Sequence, residues 1–427
     1  MREAGWRGVR RTYLVLTLLS TFAASFIWGV NTLFLLDAGL SNAQAFGANA
    51  FFTAGMVIFE IPTGVVADSR GRRLSYLLGA ATLLVSTVAY VVLWQVHAPF
   101  WGWALASIML GLGFTFFSGA VEAWLVDALQ ATGYEGDLES VLARGQSVSG
   151  IAMLVGSVAG GVLAQVSNLG VPYLVRSVFL LVTLVVAARS MHDIGFEPDR
   201  DRRALDQVRE VLRASIESGW HNPPVRWFML EAPFSAGVGL FAFYAMQPWL
   251  LELYGDPSAY GVAGLAAAIV AGAQIVGGLI VPWTRRLFRR RTDAVAVGAA
   301  MSALVLLGIG LTDSFPLAVG LLVVWGIAYS VTRPMRAAFI NGEIPSAQRA
   351  TVLSAHALMG SAGGVVTQPA LGRVADLQGY SLAYAFSAAI QLGAIPFILL
   401  ARRTAAASDP IEPAASVGPD PSGLSRR

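Results

Sequence analysis

Hydrophobic residues occupy most of this 427-residue chain in long runs that short polar segments separate. Each run is about 20 residues long, the length that an α-helix needs to cross the hydrocarbon core of a bilayer. Because lipid offers backbone groups no hydrogen-bond partners, we expect every run to be a helix. The pattern predicts about twelve spans, at Thr12–Leu36, Gln44–Val66, Leu74–Gln95, Phe100–Leu129, Val141–Gln165, Tyr173–Ala188, Trp227–Tyr254, Ala259–Trp283, Ala294–Leu311, Pro316–Ile340, Thr351–Leu371 and Leu382–Leu400.

The composition places the chain in a membrane. Hydrophobic residues make up 56% of it and charged residues only 13%, which is too little polar surface to cover a soluble globule of this size. The lipid bilayer is therefore an expected partner. The formal net charge is +3, but the arginines lie in loops between apolar runs, so the positive-inside rule explains them better than nucleic-acid binding does.

The distribution of arginine predicts the orientation. Arginines precede span 1 and follow spans 2, 8 and 12, all on one side, whereas the opposite loops carry Asp37, His97, Asp256 and Asp313. Both termini should therefore be cytoplasmic, in a multi-pass protein of the plasma (inner) membrane. No small-residue cleavage site follows the first run, so we interpret it as a retained span rather than a signal peptide.

The polar segments predict four regions. Residues 1–188 and 227–403 are two six-helix bundles, and an internal repeat supports this, since Ser118–Asp127 aligns without a gap with Thr332–Asn341. Between them, residues 189–226 form a linker in which apolar residues recur at helical spacing, as in an amphipathic helix on the cytoplasmic surface. The tail, residues 404–427, is rich in small and polar residues and should be disordered.

A charged turn joins spans 2 and 3. Here Gly64 should let a neighbouring helix approach and Gly71 should supply the turn, while Asp68 at the membrane boundary needs a partner. The stretch, which continues into Arg72 and Arg73, resembles the signature loop of the major facilitator superfamily, whose glycines, acid and arginines brace the cytoplasmic gate.

The resemblance implies an all-α membrane protein with two pseudo-symmetric six-helix bundles, a monomer without cofactor, most similar to drug- or metabolite-proton antiporters. Spans 1, 4, 7 and 10 would line a central cavity, and Asp127 would pair with Arg72. Two antiporter signatures are absent: Ser107 stands where span 4 of those antiporters has arginine, and Gly156-Ser157 lacks their proline.

Ionisable residues within the spans are candidates for transport chemistry, because a charge at a helix centre costs on the order of 3 kcal/mol unless it meets water or a partner. They are Glu60, Glu122, Arg176, Glu231, Arg333, Arg336 and His356. For proton coupling we consider Glu122, Glu60 and His356. Glu122 either faces Arg336 across the cavity or pairs locally with Arg144. Glu60 either carries protons or anchors a kinked helix, and Glu231 is expected to be solvated.

Aromatic and amide residues on the cavity-lining spans are candidate substrate contacts, since such a lining suits a bulky amphipathic solute. They are Trp28, Asn31, Phe234, Phe241, Tyr244, Gln247, Trp325 and Tyr329, with Arg333 and Arg336 as additional cavity residues.

Three functions fit the sequence. The first is proton-coupled export of amphipathic drug-like or secondary-metabolite compounds by alternating access, with protons and a small molecule as the transported partners. The second is uptake of an anionic metabolite, bound by Arg333 and Arg336. The third is a membrane sensor or scaffold that does not transport. Without lysine there is no P-loop, without cysteine and with isolated histidines there is no recognisable zinc site, and we expect no enzymatic activity.

Overall fold

The computed structural model describes residues 5–117, 119–198, 206, 208–209, 213 and 215–411. Helices make up most of these residues. The amino-terminal half contains α1 (Trp6–Trp28), α2 (Asn31–Asp37), α3 (Asn42–Arg70), α4 (Arg72–Gln95), α5 (Phe100–Phe117), α6 (Ala120–Ala131), α7 (Leu138–Val166) and α8 (Val171–Ser190). The carboxy-terminal half contains α9 (Pro223–Tyr254), α10 (Tyr260–Thr284), α11 (Arg291–Leu311), α12 (Phe315–Gly342), α13 (Arg349–Leu392) and α14 (Ala394–Arg403).

The predicted number of spans is confirmed. Eleven helical stretches are long and apolar enough to cross a membrane. The last of these, Thr351–Arg403, is interrupted at Gly379, whose φ of 81° and ψ of 171° are not helical, so that it contains two spans. Spans 1 and 4 are also broken, between α1 and α2 and at Gly119, where a φ of 69° suits glycine.

The outer surface of the helices is apolar. Val85, Leu304 and Val366 are between 56% and 69% exposed, whereas a soluble protein would bury most such side chains. Their exposure agrees with a surface that contacts lipid.

The two halves meet mainly along two pairs of helices, α3 against α13 and α7 against α10. The second contact is close, because a Cβ atom on Gly161 would lie 2.9 Å from the Cα of Gly264. We call the face that carries Trp6, Arg70 and Arg403 the terminal face, and the face that carries Asp37 and Asn42 the far face.

Most of the predicted amphipathic linker helix lies outside the described residues. A short π-helix, Ser215–Trp220, follows it and packs on α9 and α13. There a Cβ atom on Gly219 would contact Met229. The end of the linker is thus attached to the carboxy-terminal half.

The segment that follows α14 differs from its prediction. Residues 404–411, which we name the C-terminal clasp, return to the terminal face, where Asp409 is only 2% exposed. Its carboxylate accepts hydrogen bonds from the backbone N–H and the hydroxyl of Thr292, both at 2.9 Å. Ser408 N donates to Glu343 Oε1 at 2.8 Å. The predicted disorder from residue 404 does not hold for 404–411, because one acid in this polar segment has buried donors; residues 412–427 lie outside the described part.

Candidate functional site

A cavity of about 290 Å³ lies within the amino-terminal half and is covered on one side by Tyr244 of α9. Aromatic and aliphatic side chains form most of its wall, together with two amides and one arginine. The lining residues are Ala24, Ile27, Trp28, Asn31, Asn49, Phe52, Met56, Tyr90, Leu110, Phe114, Met153, Arg176 and Tyr244. Three of the predicted contacts, Trp28, Asn31 and Tyr244, are therefore at one cavity.

The break in span 1 forms part of this cavity. Trp28 ends α1 and Asn31 begins α2, so both side chains border the interruption at Gly29. A Cβ atom on Gly29 would lie 2.8 Å from the Cα of Gly264. Glycine therefore lets the broken helix contact α10 of the other half directly.

Arg176 of α8 reaches the cavity from the core of the amino-terminal half and is 2% exposed. Its Nε donates to Thr87 Oγ1 at 3.0 Å and its Nη1 to the Ala23 carbonyl at 3.2 Å. The guanidinium lies 5.8 Å from the centre of the Phe114 ring, within the range of a cation–π contact. Sequence reasoning found Arg176 as a charge within a span but gave it no role.

A chain of polar groups continues from Arg176's helix along the cavity wall. The Tyr173 hydroxyl donates to Asn31 Oδ1, and Asn31 Nδ2 donates to Asn49 Oδ1, both at 2.9 Å. Asn49 Nδ2 is buried and has no hydrogen-bond partner among the described residues. Asn49 was missed at the sequence level, although a lone asparagine in an apolar run is a signal that could have identified it.

Hydrogen bonds between the halves close the far face. Gln247, predicted as a substrate contact, is fully buried. Its Nε2 donates to the Trp28 carbonyl and its Oε1 accepts from Thr32 N, both at 2.9 Å. It therefore satisfies backbone groups at the break in span 1 rather than lining the cavity. Asp376 of α13 accepts hydrogen bonds from Asn42 N and Ala43 N, at 2.7 and 3.0 Å, which fixes the start of α3 against the other half.

At the terminal face, the charged turn places Asp68, Arg72 and Asp127 close together. Arg72 Nη1 binds Asp68 Oδ1, and Arg72 Nε lies 3.8 Å from Asp127 Oδ2. Gly71 supplies the turn with a φ of 110°. Arg73 donates through Nη2 to the Ala188 carbonyl at 2.7 Å.

Two features of this turn were not expected. Asp193, in the segment after α8, accepts a hydrogen bond from Arg73 N at 2.8 Å. Because Asp193 lies in a loop, nothing in the sequence pattern indicated this contact. Apart from the local backbone of α3 itself, no described atom lies within 4 Å of a Cβ placed on Gly64. The predicted close approach of a helix to Gly64 is thus absent from this conformation, in which the halves are joined at the other face.

The carboxy-terminal half contains a buried ion pair. Arg336 Nη2 lies 2.8 Å from Glu231 Oε1, with side-chain exposures of 15% and 0%. The Ser235 hydroxyl also donates to Glu231 Oε1, and Gln391 Nε2 donates to Ser235 Oγ at 3.1 Å. Glu231 was expected to be solvated, which is wrong, because α12 presents Arg336 to it and excludes water.

The predicted proton-coupling residues lie in different surroundings. Glu122 is exposed on α6, and its predicted pairing with Arg336 is absent here because Arg336 binds Glu231. Glu60 is half-buried in α3. His356 is in α13, and its Nε2 is buried without a hydrogen-bond partner in the part of the chain that the structure describes. Arg336 is among its electrostatic neighbours.

The other predicted substrate residues are not at the cavity. Phe241 packs on Phe46 of α3, with ring centres 4.8 Å apart, and Phe234 packs on Phe397 of α14 at 5.4 Å. Trp325 and Tyr329 stack on each other at 5.8 Å, with Trp325 3% exposed. Arg333 is exposed and lines an open surface groove with Pro282 and Ser330.

The cavity is built for binding. In the described ranges no group of three or more histidine, aspartate or glutamate side chains could hold a metal ion. The lining combines ring faces with hydrogen-bond donors and holds one arginine, so it can orient a solute by its polar end and bury its apolar part.

Comparisons with known proteins agree with this architecture. The family model for the Major Facilitator Superfamily matches residues 13–368. The fold is similar to that of the nucleoside transporter NupG, with a TM-score of 0.77, 11% identity and coverage of 92% of this chain and 98% of that one. It is also similar to a D-xylose-proton symporter, with a TM-score of 0.68, 15% identity and coverage of 92% and 96%.

A bacterial homolog of the human lysosomal transporter Spinster, in an inward-facing and unoccupied conformation, gives a TM-score of 0.69 with 17% identity, and the alignment covers 96% of this chain and 99% of that one. No curated protein matches the sequence. At these identities the solved structures establish the fold.

Proposed function

The chain belongs to the major facilitator superfamily of transporters, which are not enzymes, and we propose that it exports amphipathic drug-like or secondary-metabolite compounds in exchange for protons. It acts as a secondary active transporter by alternating access, as a monomer in the plasma (inner) membrane with both termini in the cytoplasm. The observation that carries the proposal is the aromatic cavity beside the contact between the halves, closed toward the far face by Gln247.

The conformation supports loading from the cytoplasm. Asp376 and Gln247 join the halves at the far face, while Glu122 is exposed on α6 and Gly64 faces open space. With cytoplasmic termini, the cavity would open to the cytoplasm in this state. Closure of the terminal face and separation of the far face would then release the solute outside.

The two alternative functions have less support from the geometry. Uptake of an anion through Arg333 and Arg336 would need both side chains in the cavity, but Arg333 lies in a surface groove and Arg336 is paired with Glu231. A sensor or scaffold without transport would have fully paired buried charges and no cavity. The cavity and the absence of a described acid beside Arg176 both favour a transporter.

The buried pair of Glu231 and Arg336 is the best-placed proton site. A proton on Glu231 would remove its charge and release Arg336, whose Nε is buried without a described hydrogen-bond partner. Because α9 and α12 carry the two residues, this change would alter the packing of α12 against α9, the helix whose Tyr244 covers the cavity. A proton can drive a conformational change only if it binds the two states unequally, and breaking an ion pair provides that difference.

Proteoliposomes test this proposal. Purified wild-type protein is reconstituted, a pH gradient is imposed, and the distribution of fluorescent amphipathic anions, cations and neutral compounds is followed together with internal pH. We expect accumulation of at least one class against its gradient, proton movement in the opposite direction, and loss of both with a protonophore. Solute distribution that ignores the pH gradient for every class would contradict proton coupling. The absence of any mediated flux would contradict transport.

A further inference from the structure

Arg176 is a buried cation that forms no ion pair with an acidic side chain of the described residues. Its two hydrogen-bond acceptors, the Thr87 hydroxyl and the Ala23 carbonyl, are neutral. No described carboxylate lies within 4.0 Å of its guanidinium, whereas Arg336 has Glu231 at 2.8 Å. A guanidinium in a membrane interior normally pairs with an acid or serves a solute pathway.

The polar groups of the cavity offer more unpaired hydrogen-bond donors than unpaired acceptors. A guanidinium carries five N–H groups, of which two have acceptors among the described residues. The amide nitrogen of Asn49 is buried with no partner in the described ranges. The amide oxygens of Asn31 and Asn49 already accept hydrogen bonds from Tyr173 and Asn31. The matching ligand group is therefore an acceptor with negative charge.

The remaining wall limits the rest of the ligand. Trp28, Phe52 and Phe114 present aromatic surface, and the volume of about 290 Å³ accommodates a small molecule. A polyanion would bring more charge than one arginine neutralises, and the apolar wall could not solvate the excess. A single carboxylate matches the planar fork of the guanidinium.

We propose that the solute is an amphipathic organic monoanion whose carboxylate binds Arg176 and Asn49 and whose apolar body lies against the aromatic wall. This inference deepens the proposed function and rests on it, because it names the chemical class of the transported compound. It also accounts for a buried positive charge that the transport cycle otherwise does not need.

Wild-type protein provides the first test. Binding of carboxylates with an aromatic group, such as naphthalene-2-carboxylate and 4-phenylbutyrate, is measured by calorimetry in detergent at neutral pH. Each carboxylate is compared with its primary amide and with the corresponding amine. We expect the carboxylate to bind at least about tenfold more tightly than the amide, and the amine to bind most weakly. Equal affinities, or a preference for the amine, would overturn the proposal.

Variants locate the binding group. Arg176→Gln should abolish the preference for carboxylate over amide, Arg176→Lys should retain part of it, and Asn49→Leu should reduce it. Arg333→Gln is the matched control, because it removes an arginine from a surface groove and should leave the preference unchanged. If the Arg176→Gln variant does not fold, the Asn49→Leu variant and the ligand pairs on wild-type protein still test whether this cavity binds the carboxylate. A preference that survives in both Arg176→Gln and Asn49→Leu would overturn the assignment.

The two proposals fail in different ways. If wild-type protein prefers carboxylates in the binding assay but moves no solute across proteoliposomes, the anion site stands and the transport function fails. If neutral or cationic compounds are transported and carboxylates neither bind preferentially nor compete, transport stands and the anion site fails.

Discussion

Asp193 and Asp409 occupy corresponding positions in the two halves. Asp193 follows the last helix of its half and accepts a hydrogen bond from Arg73 N at 2.8 Å, and Asp409 follows the last helix of the other half and accepts from Thr292 N at 2.9 Å. Each acid therefore satisfies an N–H in the first turn of the third span of its half, where the helix leaves such groups without partners. The second half thus obtains its acid from the C-terminal clasp.

Removal of the clasp should destabilise the protein. Deletion of residues 404–427 removes Asp409, and loss of a helix cap costs about 0.5–2 kcal/mol. Thermal unfolding in detergent should show a lower midpoint for this deletion and for Asp409→Ala. Deletion of residues 412–427 is the control and should leave the midpoint unchanged. Equal midpoints for both deletions would show that the clasp contributes nothing to stability.

The charge network at the terminal face should control the rate of transport. Asp68→Asn breaks the ion pair with Arg72, and we expect insertion and ligand binding to persist while transport falls about tenfold, as for a barrier raised by about 1.4 kcal/mol. Initial rates in proteoliposomes measure this. Arg70→Gln changes an exposed charge in the same turn and should keep the wild-type rate. If the Asp68→Asn variant transports at the wild-type rate, this charge network does not act as a gate.

Gly64 should matter only when the terminal face closes. No described atom outside the local backbone of α3 lies within 4 Å of its Cβ position here, so Gly64→Leu should fit this conformation without loss of thermal stability. Closure would bring a neighbouring helix to this surface, and the larger side chain should then block it. We expect ligand binding with strongly reduced transport. Gly320→Leu, at another open position, is the control and should transport normally. A Gly64→Leu variant with the wild-type transport rate would contradict the approach of a helix to Gly64 on closure.

Glu231 should couple protons to solute movement. Glu231→Gln mimics the protonated carboxyl, so proton-driven accumulation should be lost while downhill exchange remains measurable. The same substitution at the exposed Glu122 should change accumulation little. Accumulation assays with and without a pH gradient compare the two variants. The reverse outcome, with accumulation lost only in Glu122→Gln, would restore Glu122 as the proton carrier.

Local spacing made the spans and the charged turn predictable. Asp68 and Arg72 are four residues apart, so helical geometry alone places them on one face. Glu231 and Arg336 are 105 residues apart, and their pairing depends on the rotation of two helices that apolar spacing does not define. For the same reason Phe234 and Phe241 face neighbouring helices instead of the cavity. Arg176 lies on a span outside the expected lining set, and only tertiary packing reveals that its side chain reaches the cavity.

We expect the contact between Gly161 and Gly264 to act as a pivot when the two halves move. Backbones meet there without side chains between them. No side chains interdigitate at such a contact, so none has to be pulled out of its packing when the helices move. We therefore expect the halves to rotate about this contact, whereas the hydrogen bonds of Gln247 and Asp376 hold the far face closed. The pivot and the far-face hydrogen bonds therefore involve different residues. Substitution of Gln247 or Asp376 should weaken the closure of the far face while the axis of rotation at Gly161 and Gly264 stays in place.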